Sequence, residues 1–240
     1  MRAGPKEISL LHSIPYNLIN SIDQHELLPR DFYLNDSTVR IARKLLGKLL
    51  ISTTGEVITG GLIVETEAYC GINDRACHAY MGKKTKRNSA LYMEGGTVYV
   101  YFTYGLHYLL NVVTRPAGIP EAVLIRGIIP AVGIKEIYRR RNRDMPLEDI
   151  CIGPATVTQA LMIDLRQNGT SFLEGPLKIY ETGLSFSSKE IMVGPRVGVD
   201  YAGEDAFLPY RFQVTKQARQ KLINKFLNAI NHEREEENTR

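Results

Sequence analysis

Two carboxylates and a phenol stand close together in Val64-Glu65-Thr66-Glu67-Ala68-Tyr69. Read as a strand, period-2 alternation puts Leu62, Val64, Thr66 and Ala68 on one face and Ile63, Glu65, Glu67 and Tyr69 on the other. An acidic residue beside an aromatic ring, where a strand runs into a long loop, suits general-base work. The bland alternative is a pair of solvent-facing charges, and alternation does not choose between Glu65 and Glu67. The loop beyond brings His78 and the cluster Lys83-Lys84-Thr85-Lys86-Arg87. Chemistry on a nucleobase needs a ring platform, a carboxylate to activate water and cations for phosphates. All three fall between Glu67 and Arg87.

Two later stretches extend this set. In Thr97 to Tyr104 (TVYVYFTY), Tyr99, Tyr101 and Thr103 face one way and Val98, Val100, Phe102 and Tyr104 the other. Tyr104 precedes Gly105 at an expected hairpin tip, where a side chain is free to project and to wedge into a stack of bases. Arg126 interrupts the apolar run Ala122-Val123-Leu124-Ile125. A buried guanidinium needs a partner, and Glu67 or Glu65 is the expected one, an arrangement that would hold the carboxylate ionised.

The scaffold that must position these residues reads as follows. Asp36-Ser37 caps a helix carrying Val39, Ala42, Leu45 and Leu46 at helical spacing, and Gly47 closes it. Strands are expected at Leu49 to Thr53 and Gly61 to Tyr69, around a turn at Thr54-Gly55-Glu56. The long polar segment from Cys70 to Gly96 reads as loop, and a loop of that length usually has a function. Strands at Thr97 to Tyr104, Tyr108 to Thr114 and Glu121 to Ile129 follow, then helices at Ile134 to Arg141 and Gly153 to Ile163. Further strands are expected at Leu177 to Glu181, Ile191 to Val199 and Tyr210 to Val214, and a helix at Lys216 to His232. Short connections between successive strands predict antiparallel pairing with helices to the side. The expected fold is therefore α+β: one domain with a mostly antiparallel curved sheet, a protruding β-hairpin and surrounding helices. It occupies residues 28–215, after an N-terminal extension at 1–27 and before a helical, mixed-charge tail at 216–240.

Composition narrows the class. With 240 residues, 44% hydrophobic and 23% charged, the chain has the make-up of an ordinary globular protein. No apolar run approaches the ~20 residues of a membrane helix, and the N-terminus has no secretory pattern. Cys70, Cys77 and Cys151 are too few, and odd in number, for a disulfide framework, which favours a reducing compartment. A cytoplasmic or nucleoid-associated location is expected. No cysteine–histidine spacing fits zinc and no Gly-rich nucleotide loop is present, so neither a metal nor a cofactor is expected. The net charge of +4 gathers in Lys83 to Arg87 and in Arg139-Arg140-Arg141-Asn142-Arg143, clusters able to neutralise phosphates.

At these residues the chain resembles the alkyladenine (3-methyladenine) DNA glycosylase family, the single-domain type of animals and bacteria. The resemblance runs from about Leu28 to Val214. It includes Leu45-Leu46-Gly47-Lys48, the Val64 to Tyr69 run, Asp74 with His78, Thr85 to Asn88, and Tyr99-Val100-Tyr101 with Tyr104-Gly105. Asn111, Leu124-Ile125-Arg126, Gly153-Pro154, Gln159-Ala160-Leu161, Arg196-Val197-Gly198-Val199 and Ala202-Gly203-Glu204 continue it in order.

The resemblance implies a glycosylase that flips alkylated or deaminated purines out of duplex DNA, hydrolyses the N-glycosidic bond and leaves an abasic site. It implies that Glu67 is the general base, and that Arg126 and the Val197 carbonyl hold the attacking water. Tyr69, His78 and Tyr101 would sandwich the base, Asn111 would crowd the amine of guanine, and Tyr104 would fill the emptied stack. Lys83, Lys84, Lys86 and Arg87 are the expected phosphate contacts. Duplex DNA containing damaged purines is the expected partner, with no membrane and no obligate protein partner. Two departures stand out: Thr156 follows Gly153-Pro154-Ala155 where many relatives carry lysine, and Leu106-His107 follow Tyr104 where animal members have Met and Tyr. Two rival readings are a glycosylase-lyase, with Lys83, Lys84 or Lys86 forming a Schiff base, and a non-catalytic nucleic-acid-binding module, which would need neither Glu67 nor Arg126.

Overall fold

Ser37 accepts a hydrogen bond from the Arg40 N–H (3.4 Å) and opens helix α2 (Thr38–Lys44), as its capping sequence predicts. The structure, a computed structural model, describes residues 17, 19 and 22–238. Gly47 follows α2 at φ 87°, a left-handed conformation that glycine adopts without a Cβ clash, and its N–H reaches the Ile63 carbonyl (2.8 Å). A short helix α1 (Arg30–Leu34), not expected from the sequence, precedes it behind Pro29.

Strands β1 (Leu49–Thr54) and β2 (Val57–Tyr69) form the expected hairpin, in register from Leu49 opposite Leu62 to Thr54 opposite Val57. β3 (Val98–Thr103), β4 (His107–Thr114) and β5 (Glu121–Val132) follow as antiparallel neighbours, and β6 (Leu177–Tyr180) adds to β1. The order is β3-β4-β5-β2-β1-β6, and the pair β7 (Ile191–Gly194) and β8 (Arg211–Val214) joins β2 through β8. The pairings are all antiparallel, so the fold is α+β.

β2 positions the site. At Glu65, Thr66 and Glu67 it lies between β5 on one side and β8 on the other. Irregular register between Ile63, Glu65 and Thr66 marks a bulge, a device that re-aims side chains. Both faces are buried there, Glu65 at 1% and Glu67 at 0% exposure, so the solvent-facing reading of these carboxylates is wrong. Leu62, Val64, Ile125, Ile128, Val157 and Phe172 belong to the apolar core behind the strand.

Helices α3 (Ile134–Arg141) and α4 (Pro154–Leu161) pack at the side of the sheet, and α5 (Lys216–Asn238) runs past the expected end at His232. Ala218, Leu222 and Ile223 bury the inner face of α5 at helical spacing. The strand expected from Ile191 to Val199 ends at Gly194, because Pro195 has no N–H for the ladder. The segment from Cys70 to Gly96 holds three 3₁₀ turns (Gly71–Asn73, Tyr80–Gly82 and Lys86–Tyr92) rather than plain loop. Most of the extension expected at 1–27 lies outside the described residues. Of its described part, Ile19 is buried and hydrogen-bonds Ala131, and Leu27 bridges Tyr180. Among the described residues no helix is long and apolar enough to cross a membrane.

Candidate active site

Where β2 leaves the sheet, its end meets β3, β4, β5 and the segment after β7 around a cavity of about 290 Å³. Tyr69, His78, Tyr99, Tyr101, Asn111 and Arg126 are among its lining residues, and Tyr104 and Val197 also reach it. The residues expected to hold a base are thus brought together from four separate stretches of sequence.

Glu67 does not itself line this cavity, but three residues that do, Tyr69, Arg126 and Val197, hold its carboxylate. One carboxylate oxygen, Oε1, accepts the Val197 N–H (2.8 Å) and lies 3.3 Å from Arg126 Nε; the other, Oε2, accepts the Tyr69 hydroxyl (2.9 Å). Burial raises the Glu67 pKa above the ordinary carboxylate value, and Arg126, the Val197 amide and the Tyr69 hydroxyl offset part of that rise. The result is a carboxylate more basic than one in water, fixed at both oxygens and reached through three cavity-lining groups. Arg126 contacts both candidate partners, since its Nε also lies 3.1 Å from Glu65 Oε1. The Val197 contact is through its N–H, a link to Glu67 that the sequence does not reveal.

His78 stacks edge-on against Tyr101 with centroids 4.5 Å apart, and its Nδ1 lies 2.8 Å from the Tyr99 hydroxyl. Burial, then Arg87 and Lys83, push its pKa down to about 4, so at neutral pH it is an uncharged imidazole with one donor and one acceptor nitrogen. Tyr99 received no role from the sequence, although it shares a face with Tyr101. Asn111, buried at 3%, donates through Nδ2 to the Tyr99 carbonyl (3.2 Å), which fixes its amide in the cavity wall.

The polar segment is held in shape by its own side chains. Thr85 and Asn88 form a reciprocal capping box, and Asn88 Nδ2 donates to the carbonyls of His78 (3.0 Å) and Lys83 (2.8 Å). Asp74 accepts the N–H groups of Cys70 (2.9 Å) and Ala76 (3.0 Å) and pairs with Arg196, whose Nη2 lies 2.8 Å from Oδ1. The Arg196 guanidinium sits 4.9 Å from the Tyr69 ring centroid and 5.3 Å from that of Tyr210. The sequence marks Asp74 and Arg196 only as parts of motifs and gives neither a role.

Lys83, Lys84, Lys86 and Arg87 are exposed beside the cavity. Arg87 also donates to the Phe102 carbonyl (2.6 Å) and lies 5.7 Å from the Tyr101 centroid, tying the basic segment to β3. The second basic cluster is partly engaged within the protein. Arg139 and Arg140 share Glu136 and Arg141 donates to the Ile150 carbonyl, while Arg139 and Arg143 stay exposed, so only part of the cluster is engaged within the protein. The Thr156 hydroxyl bonds back to the Gly153 carbonyl (2.6 Å) within its own turn.

Tyr104 projects from the β3–β4 hairpin with 87% of its surface exposed. It has φ 52° and Gly105 has φ 67°, and the turn closes through Leu106 N–H to the Thr103 carbonyl (3.1 Å). A tyrosine held in the left-handed region costs about 1–3 kcal/mol, a strain that clusters at functional positions.

A buried, doubly anchored carboxylate under a ring-lined cavity with a basic rim is the equipment of a hydrolase acting on a nucleobase. Comparison with known proteins makes the class specific. The family model described as Methylpurine-DNA glycosylase (MPG) matches residues 31–218, and the chain belongs to that family. Relatives provisionally named 3-methyladenine DNA glycosylase agree. One in Chlamydia pneumoniae is 44% identical over 200 residues, covering 82% of this chain and all of its own length. One in Chlamydia felis is 40% identical over 197 residues, again 82% of this chain and all of its own. One in Francisella tularensis subsp. tularensis is 45% identical over 180 residues, 74% of this chain and 90% of its own. The protein is accordingly a DNA glycosylase, a DNA-repair hydrolase acting on N-glycosyl bonds with DNA as its substrate.

Proposed function

We propose that the chain is a monofunctional glycosylase that turns alkylated or deaminated purines out of duplex DNA and hydrolyses them off with a water activated by Glu67. The observation that carries this reading is the Glu67 carboxylate, fully buried and held by three residues that line the cavity, Val197, Arg126 and Tyr69. Water oxygen bonds to C1′, its proton passes to Glu67, and the C1′–N bond breaks with its electron pair leaving on the purine. Arg126 and the Val197 carbonyl orient that water. Tyr69, His78 and Tyr101 enclose the base, and Asn111 crowds the 2-amino group of normal guanine. Alkylated purines carry positive charge, which favours stacking on these rings by ~0.5–2 kcal/mol and weakens the bond to be broken. Lys83, Lys84, Lys86 and Arg87 contact phosphates, and the product is an abasic site.

Water is favoured over lysine as nucleophile because, among the described residues, no lysine lines the cavity, and Lys83, Lys84 and Lys86 are exposed outside it. The test is a duplex carrying one hypoxanthine or one 3-methyladenine. Free base and an alkali-labile site should appear, EDTA should leave the rate unchanged, and borohydride should trap no adduct. A trapped protein–DNA adduct would establish the lyase reading, and binding without base release would reduce the protein to a nucleic-acid-binding module.

Tyr104 is assigned the role of filling the gap left by the flipped nucleotide, which offsets part of the few kcal/mol lost in unstacking. Tyr104→Ala should leave the melting temperature almost unchanged, because the side chain packs on little. It should slow excision from a paired duplex more than from a bulge, where the base is already loose. Fluorescence of an ethenoadenine lesion follows the flipping step, and equal slowing in both contexts would make Tyr104 an ordinary surface residue.

A further inference from the structure

Glu65 is as deeply buried as Glu67 and has two partners, Arg211 and Gln213, that the proposed reaction does not use. Its Oε1 accepts Arg211 Nε (2.7 Å) and Arg126 Nε (3.1 Å), and its Oε2 accepts Gln213 Nε2 (3.3 Å). Arg211 closes a ring of three side chains by donating through Nη2 to Gln213 Oε1 (3.1 Å). β8 supplies both partners, in register opposite Glu67 and Glu65. Across the sheet, Gly127 of β5 keeps the space clear: a Cβ there would stand 3.1 Å from the Glu65 Cβ.

One N–H of Arg126 therefore faces two carboxylates, 3.1 Å from Glu65 Oε1 and 3.3 Å from Glu67 Oε1. Among the described residues, its terminal nitrogens make no hydrogen bond to protein, while the side chain lines the cavity. We propose that Glu65, held in place by Arg211 and Gln213, is a positioning residue that takes a share of the Arg126 guanidinium and so sets how firmly Arg126 grips the Glu67 carboxylate. The inference rests on Glu67 being the base.

The charges around Glu67 make the effect directional. Glu65 and Tyr69 face it from β2, Arg126 from β5, Tyr101 from β3 and the Val197 amide from the segment after β7, with Arg211 of β8 acting through Glu65. Without Glu65, Glu67 loses a like charge and gains the whole of Arg126, so it holds its proton less strongly. Without Arg211, Glu65 has only Arg126 as a cationic partner and draws it from Glu67, which then holds its proton more strongly. A residue that supported the fold through neutral packing alone would move the rate and leave the protonation alone.

The experiment is single-turnover excision across pH on a duplex with one 7-methylguanine, a cationic base whose departure needs no acid, so that the acidic limb reports the base alone. Glu65→Gln should lower the plateau rate about tenfold or more, as misplaced catalytic groups do, and move the acidic midpoint to lower pH. Arg211→Gln should move it to higher pH, and Glu65→Asp, which keeps the charge, should stay near the parent. Unmoved midpoints, or shifts in one direction for both variants, overturn the proposal. If Glu65→Gln does not fold, Arg211→Gln, whose side chain is 28% exposed, decides alone: an upward shift supports the proposal and anything else overturns it. Parental activity in Glu67→Gln would overturn the base assignment and this inference together, whereas unmoved midpoints beside an inactive Glu67→Gln overturn this inference only.

Discussion

Glu67→Gln is expected to lower base release by about a hundredfold to ten-thousandfold, the usual contribution of a positioned proton acceptor, while the protein stays folded. The amide keeps an oxygen for the Val197 N–H and nearly the same volume behind the cavity-lining residues, so duplex binding should survive. The same substitution carries a stability signature that a damaged fold would not produce. Burial raises the Glu67 pKa in the folded protein above its unfolded value, so folding favours the protonated acid. The stability this gives is fully present below the unfolded pKa and is lost as pH rises through the folded one. The parent should therefore give up stability across that window and Glu67→Gln should not. Melting temperatures measured from pH 4 to pH 8 should show the variant gaining on the parent as pH rises. A variant that melts lower at neutral pH and still excises within a few-fold of the parent would remove Glu67 from the mechanism.

That carboxylate also marks the limit of what the sequence reveals. Period-2 alternation finds β2 and its hairpin with β1, because the turn at Gly55 and the apolar spacing are local. It cannot tell inside from outside on β2, since the strand is internal to the sheet, between β5 and β8 at Glu65 to Glu67, and side chains on both of its faces are buried there. The bulge beside Val64 further uncouples side-chain direction from residue number. Arg126 is conspicuous as a charge in an apolar run and does find both carboxylates. Its namesakes at Arg139 to Arg141 look more like a DNA contact in sequence, yet they close helix α3 onto Glu136 and the Ile150 carbonyl. Counting charges does not show which of them are already paired. Tyr99 was visible as a neighbour of Tyr101 on one face, but its link to His78 spans β3 and the polar segment and has no sequence signal. The roles of Arg211 and Gln213 depend on β8 docking against β2, a pairing of strands far apart in the chain.

The Asp74–Arg196 pair is the extreme case, and it carries the largest expected cost in stability. The two side chains are 3% and 0% exposed and separated by 122 positions in the chain. Arg196 Nη1 donates to the Ala68 carbonyl (2.9 Å) at the end of β2, and Nη2 to the Asp205 carbonyl (3.1 Å), while the guanidinium backs the Tyr69 ring. The next residue is Val197, whose N–H holds Glu67. One buried cation thus fixes a wall of the base cavity and an anchor of the carboxylate. Arg196→Met should destabilise the fold by about 3–5 kcal/mol, because it leaves the Asp74 carboxylate buried without its counter-ion. Asp74→Asn added to it should recover part of that loss, since the uncompensated charge is then gone; the recovery is partial because the amide has one oxygen where the Cys70 and Ala76 N–H groups use two. Denaturant unfolding of the two single variants and the double variant measures this coupling directly. Excision should remain impaired in the double variant even where it is fully folded, because Tyr69 and Val197 have still lost the group that sets their separation. Additive destabilisation with parental activity in the folded double variant would reduce the pair to ordinary packing and leave the cavity wall to be held by the sheet alone.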